Sequence, residues 1–127
     1  MDKKKILIVD DEPDILRLTS LRLRKLGYDV LTAADGKEAL EIITNEKPDL
    51  VLLDLLMPFM DGAEVCKRVK NDKKLRHIPI ILFTAHSDTT IPEKTKKLGA
   101  EDYIVKPFDP EELTYKVEEI LAQGAVL

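Results

Sequence analysis

Short apolar runs recur along this chain at roughly even intervals. "ILIV" fills positions 6–9, "LVLLDLL" 50–56 and "IPIILF" 78–83, while "YDVLTAA" at 28–34 and "DYIV" at 102–105 are shorter and weaker. Nearly continuous runs of this length suit strands of a parallel sheet that is covered on both faces. Helical patterns with recognisable boundaries lie between them. The first, "DEPDILRLTSLRLRKLG", has Pro13 near its start and Gly27 as its stop. Asp35 and Glu38 have capping-box spacing before Ala39, Leu40, Ile42 and Ile43. A third helix is expected over 61–71. A fourth, over 88–98, is poorly formed at its start, where two threonines, Ile91 and Pro92 disturb the first turn. Asp109, Pro110 and Glu112 open the fifth.

Strand and helix therefore alternate five times, which predicts one α/β domain over residues 1–127 with a doubly wound, five-stranded parallel sheet and five helices. On the first helix the apolar stripe is read as Ile15, Leu18, Leu23 and Leu26, with Arg22 snorkelling within it and Leu16 and Leu21 off it. At 127 residues the chain can bury a core without disulfides or a structural metal.

Composition narrows the function. Apolar residues make up 44% and charged residues 35%, as in an ordinary globular protein. A net charge of −4 gives no general electrostatic reason to expect direct nucleic-acid or anionic-membrane binding. Cys66 is the only cysteine, so no intrachain disulfide or thiolate cluster forms, and a small buried side chain in a reducing compartment is expected. No run approaches signal-peptide or membrane-spanning length, and a cytoplasmic location is expected.

The candidate chemistry stands at the strand ends. Asp10 and Asp11 close the first run, Asp54 the third, Thr84 the fourth, and Lys106 with Pro107 the fifth. Ligands of open parallel sheets bind beyond the carboxyl ends of the strands, so the fold gathers these groups on one rim. Carboxylates brought together repel and need a cation or a proton to coexist. Oxygen-only donors favour a hard ion, Mg²⁺ before Ca²⁺. A lysine and a hydroxyl on the same rim complement an anion, and the set as a whole suits phosphoryl transfer. Taken singly, each Asp could be a helix cap and Lys106 a surface charge. Five such residues at consecutive strand ends argue for a shared site.

The chain resembles the receiver domain of two-component response regulators. The resemblance is carried by "ILIVDDEPD" at 6–14, "LVLLDLLMPFMDG" at 50–62, "IILFTA" at 80–85 and "GAEDYIVKPF" at 99–108. It implies the flavodoxin-like strand order 2-1-3-4-5. It also implies that Asp54 accepts a phosphoryl group from a histidine kinase or histidine phosphotransfer protein. Asp10, Asp11, Asp54 and the backbone carbonyl of Leu56 would hold Mg²⁺. Lys106 would pair with the attached phosphoryl group and Thr84 would hydrogen-bond to it. Inward movement of Thr84 would open space for Tyr103, a two-state element read out on the fourth helix, fifth strand and fifth helix. The other reading of Tyr103 is a strand aromatic that is permanently half-buried.

Several positions depart from that pattern or individualise it. Phe59 stands where the family often has Gly or Asn, which tolerate left-handed torsions. Gly62 keeps its usual place. The resemblance implies that Leu56 and His86 occupy the positions that in this family tune loss of the phosphoryl group to water, and Leu56 has no polar side-chain group to place a water. A long-lived Asp54 phosphate is expected. Helix 1 docks the phosphodonor in this family, which makes Leu16 a candidate contact, and Asp102 and Lys116 echo charges used in homodimers.

Three rivals fit less well. A haloacid-dehalogenase-type phosphatase needs an acid/base Asp where Leu56 stands. A flavodoxin-like FMN protein needs a hydroxyl- and glycine-rich loop where this chain has "DDEPD". A pseudo-receiver acting only by interaction is disfavoured by the complete set of site residues. As a receiver the chain has no external substrate and is not an enzyme in its own right. Its output is open between a stand-alone receiver, a phosphorelay intermediate and part of a larger DNA-binding or enzymatic regulator.

Overall fold

A computed structural model describes residues 3–57, 60–85 and 88–125. The elements are β1 (Lys5–Val9), α1 (Pro13–Lys25), β2 (Asp29–Ala33), α2 (Gly36–Glu46), β3 (Leu50–Asp54), α3 (Gly62–Lys70), β4 (Ile80–Ala85), α4 (Ile91–Leu98), β5 (Asp102–Lys106) and α5 (Pro110–Ala125). The strands pair in parallel in the order β2-β1-β3-β4-β5. This order explains the unequal apolar runs. β3 is central and buried along its whole length, whereas β2 and β5 are edges with one side less covered.

Alternation along each strand divides the core in two. Ile6, Ile8, Leu50, Leu52, Ile81, Phe83 and Ile104 face α1 and α5, meeting Leu23, Leu113 and Val117. Leu7, Val9, Val51, Leu53, Ile80 and Leu82 face the helices on the other side, meeting Ala39, Ile43, Val65, Val69 and Ile91. Cys66 belongs to this second core. Burial pushes its thiol up to about 11, and Sγ donates to the Leu98 carbonyl at 3.4 Å. A small inert core residue is what the sequence led one to expect.

The helix starts follow their caps. Asp35 accepts from the Glu38 amide at 2.8 Å and Asp61 from the Glu64 amide at 3.0 Å. Glu38 reaches back to the Ala34 amide, closing the expected box one residue further out. Asp109 accepts from the Glu111 amide.

Two expectations need correction. α4 begins at Ile91, three residues after the expected start. Pro92 fits only the first helical turn, so the helix cannot extend further back, and Asp88 instead gathers the Thr90 amide, the Thr90 hydroxyl and Lys94. On α1 the buried stripe is Leu16, Thr19, Ser20 and Leu23, while Leu18 is 62% and Leu26 45% exposed. Small hydroxyl residues let α1 lie close on the sheet, and that outweighs the hydrophobicity of its leucines. Leu16 thus packs on the core, and the apolar groups α1 presents outward are Leu18 and Leu21. Arg22, half-buried, donates through Nε to Thr114 Oγ1 and ties α1 to α5.

At the far end of the sheet from Asp54, Lys70 closes the α3–β4–β5 corner. Its Nζ, on a side chain 13% exposed, donates to the Ile78 carbonyl at 2.8 Å and the Arg76 carbonyl at 3.2 Å, and pairs with Glu101 at 3.0 Å. Glu101 in turn accepts from the Ile80 amide. Lys70→Ala should therefore cost about 2–3 kcal/mol in urea denaturation, because it leaves partly buried acceptors unpaired. Arg68→Ala, which breaks only the exposed pair with Glu64, should cost under about 1 kcal/mol.

Candidate functional site

The fold brings the ends of β1, β3 and β5 together. Asp54 continues the Leu50–Leu52 side of β3, Asp10 the Ile6–Ile8 side of β1, and Lys106 the Ile104 side of β5. All three side chains accordingly emerge on the α1/α5 side of the sheet. Asp10 is fully buried, Asp54 is 5% exposed, and Asp11 is exposed. One carboxylate oxygen from each of these three lies within 4.8 Å of the others.

Lys106 is the counter-charge. Its Nζ lies 2.6 Å from Asp10, 3.4 Å from Asp54 and 3.6 Å from Glu12. Two backbone amides take the neighbouring oxygens: Glu12 N–H donates to Asp10 Oδ1 at 2.9 Å, and Leu56 N–H to Asp54 Oδ1 at 3.2 Å. Burial, with the Asp10 charge second, pushes the Asp54 carboxyl up to about 6, against the opposing pull of Lys106 and the Leu56 amide. Burial alone would lower the Lys106 ammonium. Its hydrogen bond to Asp10 and the charges of Asp54, Asp10 and Glu12 outweigh that and raise it. The site thus holds more negative charge than one lysine neutralises.

Gly62 fixes the backbone under the carboxylate. A Cβ there would meet the Asp54 carbonyl oxygen at 2.1 Å and Leu55 Cα at 2.9 Å. The absence of a side chain lets α3 start directly beneath the end of β3, and Gly62 N–H donates to the Leu55 carbonyl.

Thr84 and Tyr103 are positioned differently from the carboxylates. Thr84 continues the Ile80–Leu82 side of β4, is 2% exposed, and lines a cleft between α3 and α4 together with Leu55, Leu56 and Leu98. The pocket over Asp54 is lined by Glu12, Ile15, Asp54, Leu56, Ala85, Lys106 and Pro107. Leu56 and Ala85 belong to both hollows, so Thr84 borders the acidic pocket through them. Tyr103 registers with Leu82 on the Thr84 side of the sheet and is half-buried. Lys116 Nζ stands 5.2 Å above its ring, donates to its carbonyl at 2.8 Å, and pairs with Asp102 at 3.0 Å.

Leu56 is 71% exposed beside Asp54, with a purely apolar side chain. His86 and Phe59 lie outside the described residues. Glu12 is the site residue that the sequence reading did not assign. Its signal was the third carboxylate in the run "DDE", directly after the two that were assigned.

The three clustered carboxylates, oxygen donors only and short of positive charge, fit a hard divalent cation. Among the described residues no helix is long and apolar enough to cross a membrane.

Comparison with known proteins agrees with this geometry. The family model for the response regulator receiver domain matches residues 6–118. The "Probable transcriptional regulator ycf27" of Porphyridium aerugineum is 48% identical over 95% of this chain and 49% of its own length. The alkaline phosphatase synthesis transcriptional regulatory protein PhoP of Bacillus subtilis (strain 168) is 44% identical over 97% of this chain and 50% of its own. The chain thus spans about half the length of these curated relatives. The crystal structure of the Vibrio cholerae chemotaxis protein CheY4 superposes with a TM-score of 0.87 at 34% identity, covering 94% of this chain and 99% of that one. Receiver domains of response regulators interact with histidine kinases in two-component signalling and generally use Mg²⁺. A doubly wound sheet, an acidic cluster and a lysine at its carboxyl edge are thus found in a chain that belongs to the response regulator receiver domain family.

Proposed function

We propose that this domain takes a phosphoryl group from a histidine kinase or histidine phosphotransfer protein onto Asp54, and holds it as a signal. The observation that carries the reading is a single near-buried carboxylate at the end of the central strand, 3.4 Å from a lysine and clustered with two further carboxylates. An Asp54 carboxylate oxygen attacks phosphorus in line. The new O–P bond forms as the N–P bond to the donor imidazole breaks, and that imidazole regains a proton. Asp10, Asp11, Asp54 and the Leu56 carbonyl would hold Mg²⁺, which when bound offsets charge on the transferring oxygens. Lys106, standing between Asp10 and Asp54, is placed to pair with a phosphoryl oxygen.

Thr84 and Tyr103 form the readout in this proposal. Thr84 turns toward the phosphoryl group, and Tyr103 moves into the space it leaves on their shared side of the sheet. The domain assists its own phosphorylation and dephosphorylation and turns over no external substrate. Because exposed Leu56 cannot orient an attacking water, the Asp54 phosphate is long-lived. Asp102 and Lys116 are already paired within one chain, so a homodimer through α4, β5 and α5 would have to break that pair or use other groups.

Incubation with acetyl phosphate and Mg²⁺ should label wild-type protein at Asp54. Asp54→Ala, or chelation of Mg²⁺, should abolish labelling. Labelling that persists in the variant would sink the proposal, and none in the wild type would favour a receiver that acts by interaction alone. Leu56→Asn should shorten the phosphate half-life severalfold in a decay assay.

Burial of the Asp54 carboxylate, with the Asp10 charge second, also makes stability depend on pH. The Asp54 carboxyl is raised in the folded state to about 6 from 3.8. The folded protein therefore carries an unfavourable buried charge above pH 6 that it lacks below about pH 4, and stability falls as pH rises through that window. Without divalent cation, Asp54→Asn should be more stable than wild type by about 2–3 kcal/mol at pH 7.5 and near parity at pH 4. Urea titrations at the two pH values measure this. Added Mg²⁺ should raise the Tm of the wild type more than that of the variant.

A further inference from the structure

Charge along the chain is strongly divided. Residues 67–98 contain nine Lys and Arg against three Asp and Glu, whereas the rest of the chain holds eleven against twenty-one. The basic segment supplies α3 from Lys67 onward, the connection to β4, and all of α4. Three of its cations are engaged: Arg68 with Glu64, Lys70 with Glu101 and Lys94 with Asp88. Lys67, Lys96 and Lys97 are exposed and, among the described residues, have no carboxylate within 4.0 Å. Lys67 and Lys97 stand with Lys94 around the α3–α4 cleft of about 450 Å³, whose apolar lining includes Leu55, Ala63 and Leu98.

We propose that this cleft is a docking surface for an acidic amphipathic segment of a partner protein. The rim carries Lys67, Lys94 and Lys97 with Asp61 and Asp88, and Lys94 is held by Asp88. Lys67 and Lys97 are therefore the cations left to pair with Asp or Glu of a segment whose one or two apolar side chains enter the apolar floor. The remaining surface, with its excess of carboxylates, repels the same segment and so steers it to this face. A nucleic-acid backbone fits less well, because it would leave the apolar floor unused. The docking surface lies on the α2–α4 side of the sheet, whereas Asp54 and Lys106 emerge on the α1/α5 side. Leu56 and Ala85 border both hollows and Thr84 lines the cleft, so the docking surface adjoins the proposed readout, but the inference rests on charge and shape and does not require phosphorylation.

The test is selection of random-sequence peptides of about 16 residues, roughly four helical turns, against the folded domain. Binders are then mapped on ¹⁵N-labelled protein. The expected winners are net acidic with apolar residues three or four apart, and they shift the amides of Ala63, Lys67, Lys94 and Leu98. The double change Lys67→Glu, Lys97→Glu should weaken them at least about tenfold. Lys67→Gln, Lys97→Gln should weaken them less. Both variants should keep the wild-type circular dichroism spectrum and the wild-type rate of labelling by acetyl phosphate. Failure to enrich acidic binders, binding at another face, or indifference to charge reversal would each overturn the proposal. So would duplex DNA that shifts the same amides at physiological salt while the peptides do not.

Discussion

Among the described residues, Lys106 is the one cation set among four acidic residues at the carboxyl edge of this sheet. It reaches Asp10, Asp54 and Glu12, and Asp11 completes the carboxylate cluster. Much of the local architecture follows from keeping that arrangement tolerable. Backbone amides from Glu12 and Leu56 turn toward the carboxylates, and the turn after β3 is pulled tight over Gly62. The compensation is incomplete, which is why the Asp54 carboxyl is raised while the lysine is held charged. A deficit of positive charge is a poor way to build a core and a good way to build an affinity for a cation.

The sheet also sorts its functional groups by side. Alternation puts the carboxylates and the lysine toward α1 and α5, and Thr84 and Tyr103 toward α4. The proposed chemistry and the proposed readout are thus divided by a single layer of backbone, joined where Leu56 and Ala85 border both hollows. An event at Asp54 need not travel far to be felt on the opposite side. It has only to alter the last residues of β4.

Much of this was legible in the residues, for reasons that also mark the limits. Asp10, Asp54 and Lys106 each close an apolar run, and burial of the run fixes where its last residue points. Strand order came from the family resemblance alone, since periodicity says nothing about which strands are neighbours. The reading of α1 failed because hydrophobicity picked out Leu18 and Leu26, whereas close packing on the sheet selected Thr19 and Ser20. Grouping Thr84 with the others on one rim was right about the edge and silent about the side. Glu12 was missed because no apolar run dictates its direction in the turn into α1 and the family pattern assigned only Asp10 and Asp11 there.

The Asp10–Lys106 pair joins residues 96 positions apart. Most of the chain must be folded before that contact can close, and loop closure of this span opposes it until neighbouring strands are in place. A growing polypeptide that has not yet delivered β5 holds its carboxylates without their counter-ion. The carboxylates therefore gain their lysine only when the last strand docks, and the pair marks a sheet complete to its final edge.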